Sequence, residues 1–177
     1  VDSNWLDELV RPILDKSASY TYGKQEGFGP TKFSEKCHFD KWFPDYSKIP
    51  QLDYFCNNAN AALEKCTWDE FHFNEDLTGL EDMYLAKQLA ANGKSIAYIA
   101  KASVHHIHDE GWKQVMLRYE REAIALQEIM PEVHLSMFDF FRFFFAGVFS
   151  DLSMSIKEKC FLKYFFQIFI FRFTQYL

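Results

Sequence analysis

The sequence predicts an α/β fold, and one stretch carries most of that prediction. Leu80 to Ala91 reads as a helix signed at both ends, and Gly93 follows it. Ser95 to Ala100 then has the β-branched and aromatic content of a buried strand. Helix, glycine and strand in that order make an α/β unit, and 177 residues are enough to bury a core without disulfide staples.

In chain order, Asn4 to Leu14 comes first. It places Trp5, Leu6, Leu9, Val10, Ile13 and Leu14 at helical spacing, with Ser3 or Asn4 as cap. Ser19 to Ile49 mixes Gly, Pro, Lys and aromatic residues with no sustained period. It reads as loop with one strand near Ala18 to Tyr22. Asn60 to Lys65 reads as the start of a second short helix, with Asn58 or Asn60 as its cap.

In the helix from Leu80, the apolar positions are Leu80, Met83, Tyr84, Leu85 and Leu89. Glu81 and Asp82 fall in the first turn, where the helix dipole favours negative charge, and Asn92-Gly93 closes the last. Ser103 to His108 continues as strand or edge. Gly111 to Met130 is helical again through Trp112, Val115, Tyr119, Ala123, Leu126 and Ile129, until Pro131 stops it.

Composition divides the chain differently. Aromatic residues make up 19%, and most of the 20 Phe lie in the last forty or so positions. A globular region, 1–131, is therefore expected before a Phe-rich helical tail, 132–177. Asp139 and Arg142 interrupt Ser136 to Phe149, and Lys163, Gln167 and Arg172 interrupt Cys160 to Leu177, so neither stretch reads as spanning a membrane. Two readings fit the tail: amphipathic helices lying at a membrane surface, or a helical pair packed on protein.

The net charge of −6 argues against a nucleic-acid partner. Cys37, Cys56, Cys66 and Cys160 form no CxxC pair and read as reduced thiols in a cytosolic setting. No secretion signal is legible at the start.

Three clusters can carry chemistry. Glu81-Asp82 sits where free backbone N–H groups hold a carboxylate ionised and able to take a proton, although acidic first turns are also ordinary helix structure. His105-His106-Ile107-His108-Asp109 follows a strand. On a strand His106 and His108 face one side and can share a ligand, or the group is simply a solvated strand end. Asn57-Asn58-Ala59-Asn60 suits a tight turn and a cap, and its amides also suit sugar or phosphate oxygens.

Taken together, Trp5-Leu6, Gly23-Lys24-Gln25, Asn58-Ala59-Asn60-Ala61-Ala62, the run Glu75 to Asp82, Gly93 to Tyr98 and Val104-His105-His106-Ile107-His108 resemble, in order and spacing, the second half of family 2 glycosyltransferases. The resemblance covers 1–127. It implies a GT-A fold, Rossmann-like and here partial, followed by the Phe-rich C-terminal helices. It also implies Asp82, paired with Glu81, as the base that deprotonates an acceptor hydroxyl, and His106, with His108 beside it, as ligand to a Mg²⁺ or Mn²⁺ ion on the donor diphosphate. Asn58, Asn60 and Gln25 fall at the acceptor side.

The implied partners are a nucleotide-sugar donor, a glycan or lipid-linked acceptor and a membrane surface met through the tail. The implied location is cytoplasmic, peripheral on the cytoplasmic face of a membrane. The family's nucleotide-binding half and its Asp-x-Asp motif do not occur in this sequence, so these residues alone are expected to be inactive. The competing readings are a metal-dependent hydrolase built on the His-x-His cluster and a non-catalytic membrane-docking domain.

Overall fold

The computed structural model describes residues 3–176, so the outermost positions of the two predicted regions, 1–2 and 177, lie outside the described residues. The chain is a mixed α/β protein that resolves into two compact units. Unit 1 comprises 1–26 and 41–106, and unit 2 comprises 27–40 and 107–177. The division does not fall at 131. The helix before Pro131 packs on the last helix of the chain, which joins the predicted tail to what precedes it.

Unit 1 is built on a small mixed sheet of three strands in the order β2-β1-β3. β1 is Tyr20–Gly27, β2 is Ala61–Leu63 and β3 is Ile96–His106. β1 and β2 are antiparallel, with Tyr20 opposite Leu63 and Tyr22 opposite Ala61. Helix α1, Trp5–Leu14, packs against β3 and β2. Its buried Leu9 meets Ala18, Ala97, Ile99 and Ala102, with Trp5 and Ala62 at the margin. The alanines on β3 leave the room that a close helix needs. On the other flank Tyr22, Phe43, Phe55 and Tyr98 form an aromatic group with ring centroids 5.2 to 6.4 Å apart.

Two expectations are corrected in this unit. The region read mostly as loop contains the central strand β1, which runs on through Lys24, Gln25 and Glu26 because each of those polar side chains finds a partner. Lys24 bonds Asp45 at 2.6 Å, Gln25 bonds Asn57 at 2.6 Å, and Glu26 accepts from Ser103 at 2.9 Å. The helix expected from Asn60 to Lys65 is instead a 3₁₀ turn, Asn58–Asn60, followed by β2, and the helix α3 begins only at Lys65 (Lys65–Glu70). Asn57, rather than Asn58 or Asn60, supplies the cap, accepting from the Ala59 N–H at 3.1 Å. By contrast α4, Glu81–Ala91, ends at Asn92 and the positive-φ Gly93 as expected.

Unit 2 is helical. Helix α2, Phe33–Trp42, lies within the stretch read as loop, and all but its last two residues belong to this unit. Helices α5, Trp112–Ile129, α6, Met137–Lys157, and α7, Phe161–Tyr176, complete it. α6 and α7 pack on each other, and α7 also packs on α5. Phe33, Val148 and Ile168 form the core there. Arg172, read as a polar interruption of the tail, is 4% exposed and makes a bidentate pair with Asp151 at 2.6 and 2.8 Å. No helix among the described residues is long and apolar enough to cross a membrane.

Candidate active site

α4 starts abruptly. Leu80 takes a left-handed backbone (φ 55°), and the chain enters the helix with Glu81 and Asp82 in its first turn. Helix starts leave N–H groups without intrahelical partners, and here some of them meet a carboxylate. Asp82 Oδ1 accepts from the Met83 N–H at 2.7 Å, and Oδ2 accepts from the Asn58 N–H at 2.8 Å. The Asn58 side-chain amide donates to Glu81 Oε1 at 3.0 Å. The two carboxylates thus grip Asn58 by main chain and side chain, and the 3₁₀ turn is fixed beside the helix start.

Asp82 is 6% exposed. A carboxylate has about four lone-pair sites, so two accepted bonds leave it able to take a proton. Its acidity corrects the expectation from the helix start. Burial pushes the Asp82 carboxyl above the ordinary aspartate range, outweighing the Asn58 and Met83 N–H groups that pull it down, and the Glu81 charge adds to the rise. A carboxylate raised in this way is a stronger base.

Beside Asn58 lies a pocket of about 380 Å³ lined by Tyr20, Asn58, Leu63, Lys65, Trp68 and Phe73, among others. Trp68 lies 5.4 Å from Phe73 and 4.9 Å from His72, ring centroid to centroid. The Tyr20 hydroxyl is buried beside the Cys56 thiol. Burial raises its pKa and that of the neighbouring Cys56 thiol, so both stay neutral. Mostly apolar walls with a few polar groups are the usual make-up of a small-ligand site.

The other predicted acceptor-side residues do structural work. Asn60 is 3% exposed and its amide is fully engaged: Oδ1 accepts from Trp5 Nε1 at 2.9 Å, while Nδ2 donates to the carbonyls of Ala102 at 2.8 Å and Lys24 at 3.1 Å. Gly23 makes this possible, because a Cβ there would stand 2.2 Å from the Ala102 carbonyl oxygen and 2.4 Å from Asn60 Nδ2. Gln25 is 1% exposed and spends its amide N–H on Asn57. Both residues position the turn that carries Asn58, which is itself exposed.

The histidine cluster divides. β3 ends at His106, and His108 lies beyond it in unit 2, so strand alternation does not put the two on one face. His108 is fixed by other partners. Its N–H donates to Thr31 Oγ1 at 3.0 Å, and its Nδ1 lies 2.5 Å from Glu35 Oε1. Arg118 bonds the same Glu35 oxygen and reaches Glu110 at 2.9 and 3.0 Å. Burial pushes Glu35 up, but the His108 hydrogen bond and the Arg118 charge outweigh it and hold the carboxyl below its ordinary range.

Glu35, His108 and Glu110 have ligand atoms within 4.8 Å of one another, the one group of three such side chains among the described residues. Glu35 Oε2 is buried with no hydrogen-bond partner among the described residues. One imidazole and two carboxylates fit Mn²⁺ or Mg²⁺ by composition. Arg118 already supplies a cation to both carboxylates, so the fit requires the guanidinium to turn away.

Sequence reasoning missed Glu35, Glu110, Arg118, Trp68 and Phe73. Glu110 lies two residues past His108 and was open to notice, whereas Glu35 comes from a helix with no apolar stripe to mark it. Compared with protein-family models, with curated proteins and with solved structures, the chain matches none.

Proposed function

We propose that this chain is the acceptor-side half of an inverting glycosyltransferase of GT-A type, which moves a sugar from a nucleotide-sugar donor to a hydroxyl of a glycan or lipid-linked acceptor. The observation that carries the reading is Asp82: a buried carboxylate with a raised pKa, held by N–H groups, with spare lone pairs, one hydrogen bond from a residue lining an aromatic-walled pocket.

In this reaction Asp82 takes the proton of the acceptor hydroxyl as that oxygen bonds the anomeric carbon. The bond from that carbon to the diphosphate breaks on the opposite face, inverting the centre. Glu81 positions Asn58, and so the pocket wall, through its side-chain amide. The rings of Trp68 and Phe73 offer flat apolar surface to a sugar's C–H face.

A bound Mg²⁺ or Mn²⁺ supplies charge neutralisation for the diphosphate leaving group. His106 is the ligand the family resemblance implies, and Glu35, His108 and Glu110 are a donor set of suitable composition. The four cysteines are free, which fits a reducing compartment and the cytoplasmic side. The Glu35, His108 and Glu110 group also favours a second reading, a metal-dependent hydrolase.

Supplying a separate donor-binding half in trans distinguishes these readings. The transferase predicts sugar transfer that needs both pieces and a divalent cation. Stoichiometric zinc retained by this chain alone, with hydrolysis and no transfer, would overturn it. In the active mixture His106→Ala should weaken metal-dependent donor binding, and unchanged binding would move the metal role elsewhere.

A further inference from the structure

The outward face of α7 is apolar along its whole length. Leu162, Phe166, Ile170 and Phe173 recur at helical spacing and are 90%, 76%, 46% and 49% exposed, while Ile168, Phe171 and Arg172 on the other side are buried. A surface helix normally turns charged residues outward. Here Lys163 is the only charged side chain that α7 exposes among the described residues, because Arg172 is consumed by Asp151. α6 repeats the pattern with exposed Phe138, Phe141, Phe145 and Phe149.

The turn joining the two helices differs in charge from the rest of the chain. Lys159 takes a left-handed backbone (φ 58°), and the Cys160 N–H closes back on the Ser155 carbonyl at 2.8 Å, a tight helix end. Around it Lys157, Lys159 and Lys163 face a single Glu158, in a chain of net charge −6. Beside Lys159 and Lys163 lies an apolar groove of about 540 Å³, lined also by Ile156, Cys160, Phe161 and Leu162. Ile156 is 61% exposed and Leu162 90%.

We propose that the α6–α7 turn and the exposed face of α7 dock on an anionic phospholipid bilayer, with Leu162, Phe166 and Ile156 inserted among the acyl chains and Lys157, Lys159 and Lys163 on lipid phosphates. Charge complementarity selects this occupant. A solvent-facing apolar stripe ending in a lysine-rich corner matches the two layers of a membrane surface, which are hydrocarbon beneath anionic headgroups. The helices lie in the interface, since no helix among the described residues is long and apolar enough to cross it. This proposal rests on unit 2 alone and does not depend on the transferase reading.

The test is flotation of the full chain with vesicles of phosphatidylcholine, alone or mixed with phosphatidylglycerol. The chain floats with both and more strongly with the anionic vesicles. Lys159→Gln with Lys163→Gln lowers partition onto anionic vesicles by roughly thirtyfold, at about 1 kcal/mol per lysine, and leaves neutral vesicles unaffected. Leu162→Asn with Phe166→Asn abolishes flotation on both. These side chains are exposed, so the fold, followed by circular dichroism, stays intact. Equal flotation on neutral and anionic vesicles, unchanged flotation of the lysine variant on anionic vesicles, or unchanged flotation of the asparagine variant on either, overturns the proposal. So does a vesicle-free dimer that Leu162→Asn with Phe166→Asn converts to monomer, which would make a second copy the occupant.

Discussion

In unit 1 the buried carboxylate of Asp82 is answered by backbone N–H groups, whereas in unit 2 the buried carboxylate of Glu35 is answered by the Arg118 guanidinium and the His108 ring. The difference decides what each group can do. N–H dipoles satisfy hydrogen bonding without cancelling the charge, so burial prevails and Asp82 rises. A guanidinium cancels the charge, so Glu35 falls despite its burial. The raised Asp82 is the proton acceptor of the proposed reaction, whereas Glu35 is held in an ion pair. Asp151 is likewise held in a buried ion pair, with Arg172.

That contrast predicts different costs of disruption. The largest should come from breaking a buried ion pair in unit 2. Arg172→Met leaves Asp151 buried and uncompensated, and unfolding by urea should show a loss of about 3 to 5 kcal/mol. Adding Asp151→Leu should restore much of it, because the penalty belongs to the orphaned charge. A loss under about 1 kcal/mol in the single variant would show that the pair is not what holds α6 to α7.

A smaller effect is expected where unit 1 is tight. Gly23→Ala puts a methyl against the Ala102 carbonyl and the Asn60 amide, and should cost about 1 to 3 kcal/mol, as overpacked sites do. Stability unchanged within error would mean that Asn60 is not clamped as described.

The smallest effect is a pH dependence. Because Asp82 has a folded pKa above its unfolded value of about 3.9, its contribution to stability is fully present below that pH and is lost as pH rises through the folded pKa. The stability of wild type minus that of Asp82→Asn, followed by urea midpoints, should therefore fall as pH increases from about 4 toward neutrality. A difference that rises with pH would reverse the sign given to Asp82.

The elements legible in the sequence were those whose ends are marked locally. α4 carries acidic residues at its start and Asn92-Gly93 at its end, and β3 is a run of apolar and β-branched residues; both formed where expected. α2 was not legible, because Glu35 and Ser34 are buried while Trp42 is exposed, which inverts the usual pattern. The far end of β1 was hidden for a related reason. Lys24, Gln25 and Glu26 read as loop until their partners Asp45, Asn57 and Ser103, 21 to 77 positions away, are in place.

The site was half legible. Asp82, Glu81 and Asn58 come together as a group, whereas Asn60 and Gln25 support it from beneath. Short-range signals mark turns and helix starts, but they do not tell an amide that meets a ligand from one that is spent on the fold.

The most direct test of the central claim is the sugar-transfer rate of Asp82→Asn, measured with the donor-binding half supplied and compared with wild type. The account predicts a fall of about 10² to 10⁴ with donor binding retained, since only the proton acceptor is lost. Transfer at the wild-type rate would contradict it and remove Asp82 from the chemistry.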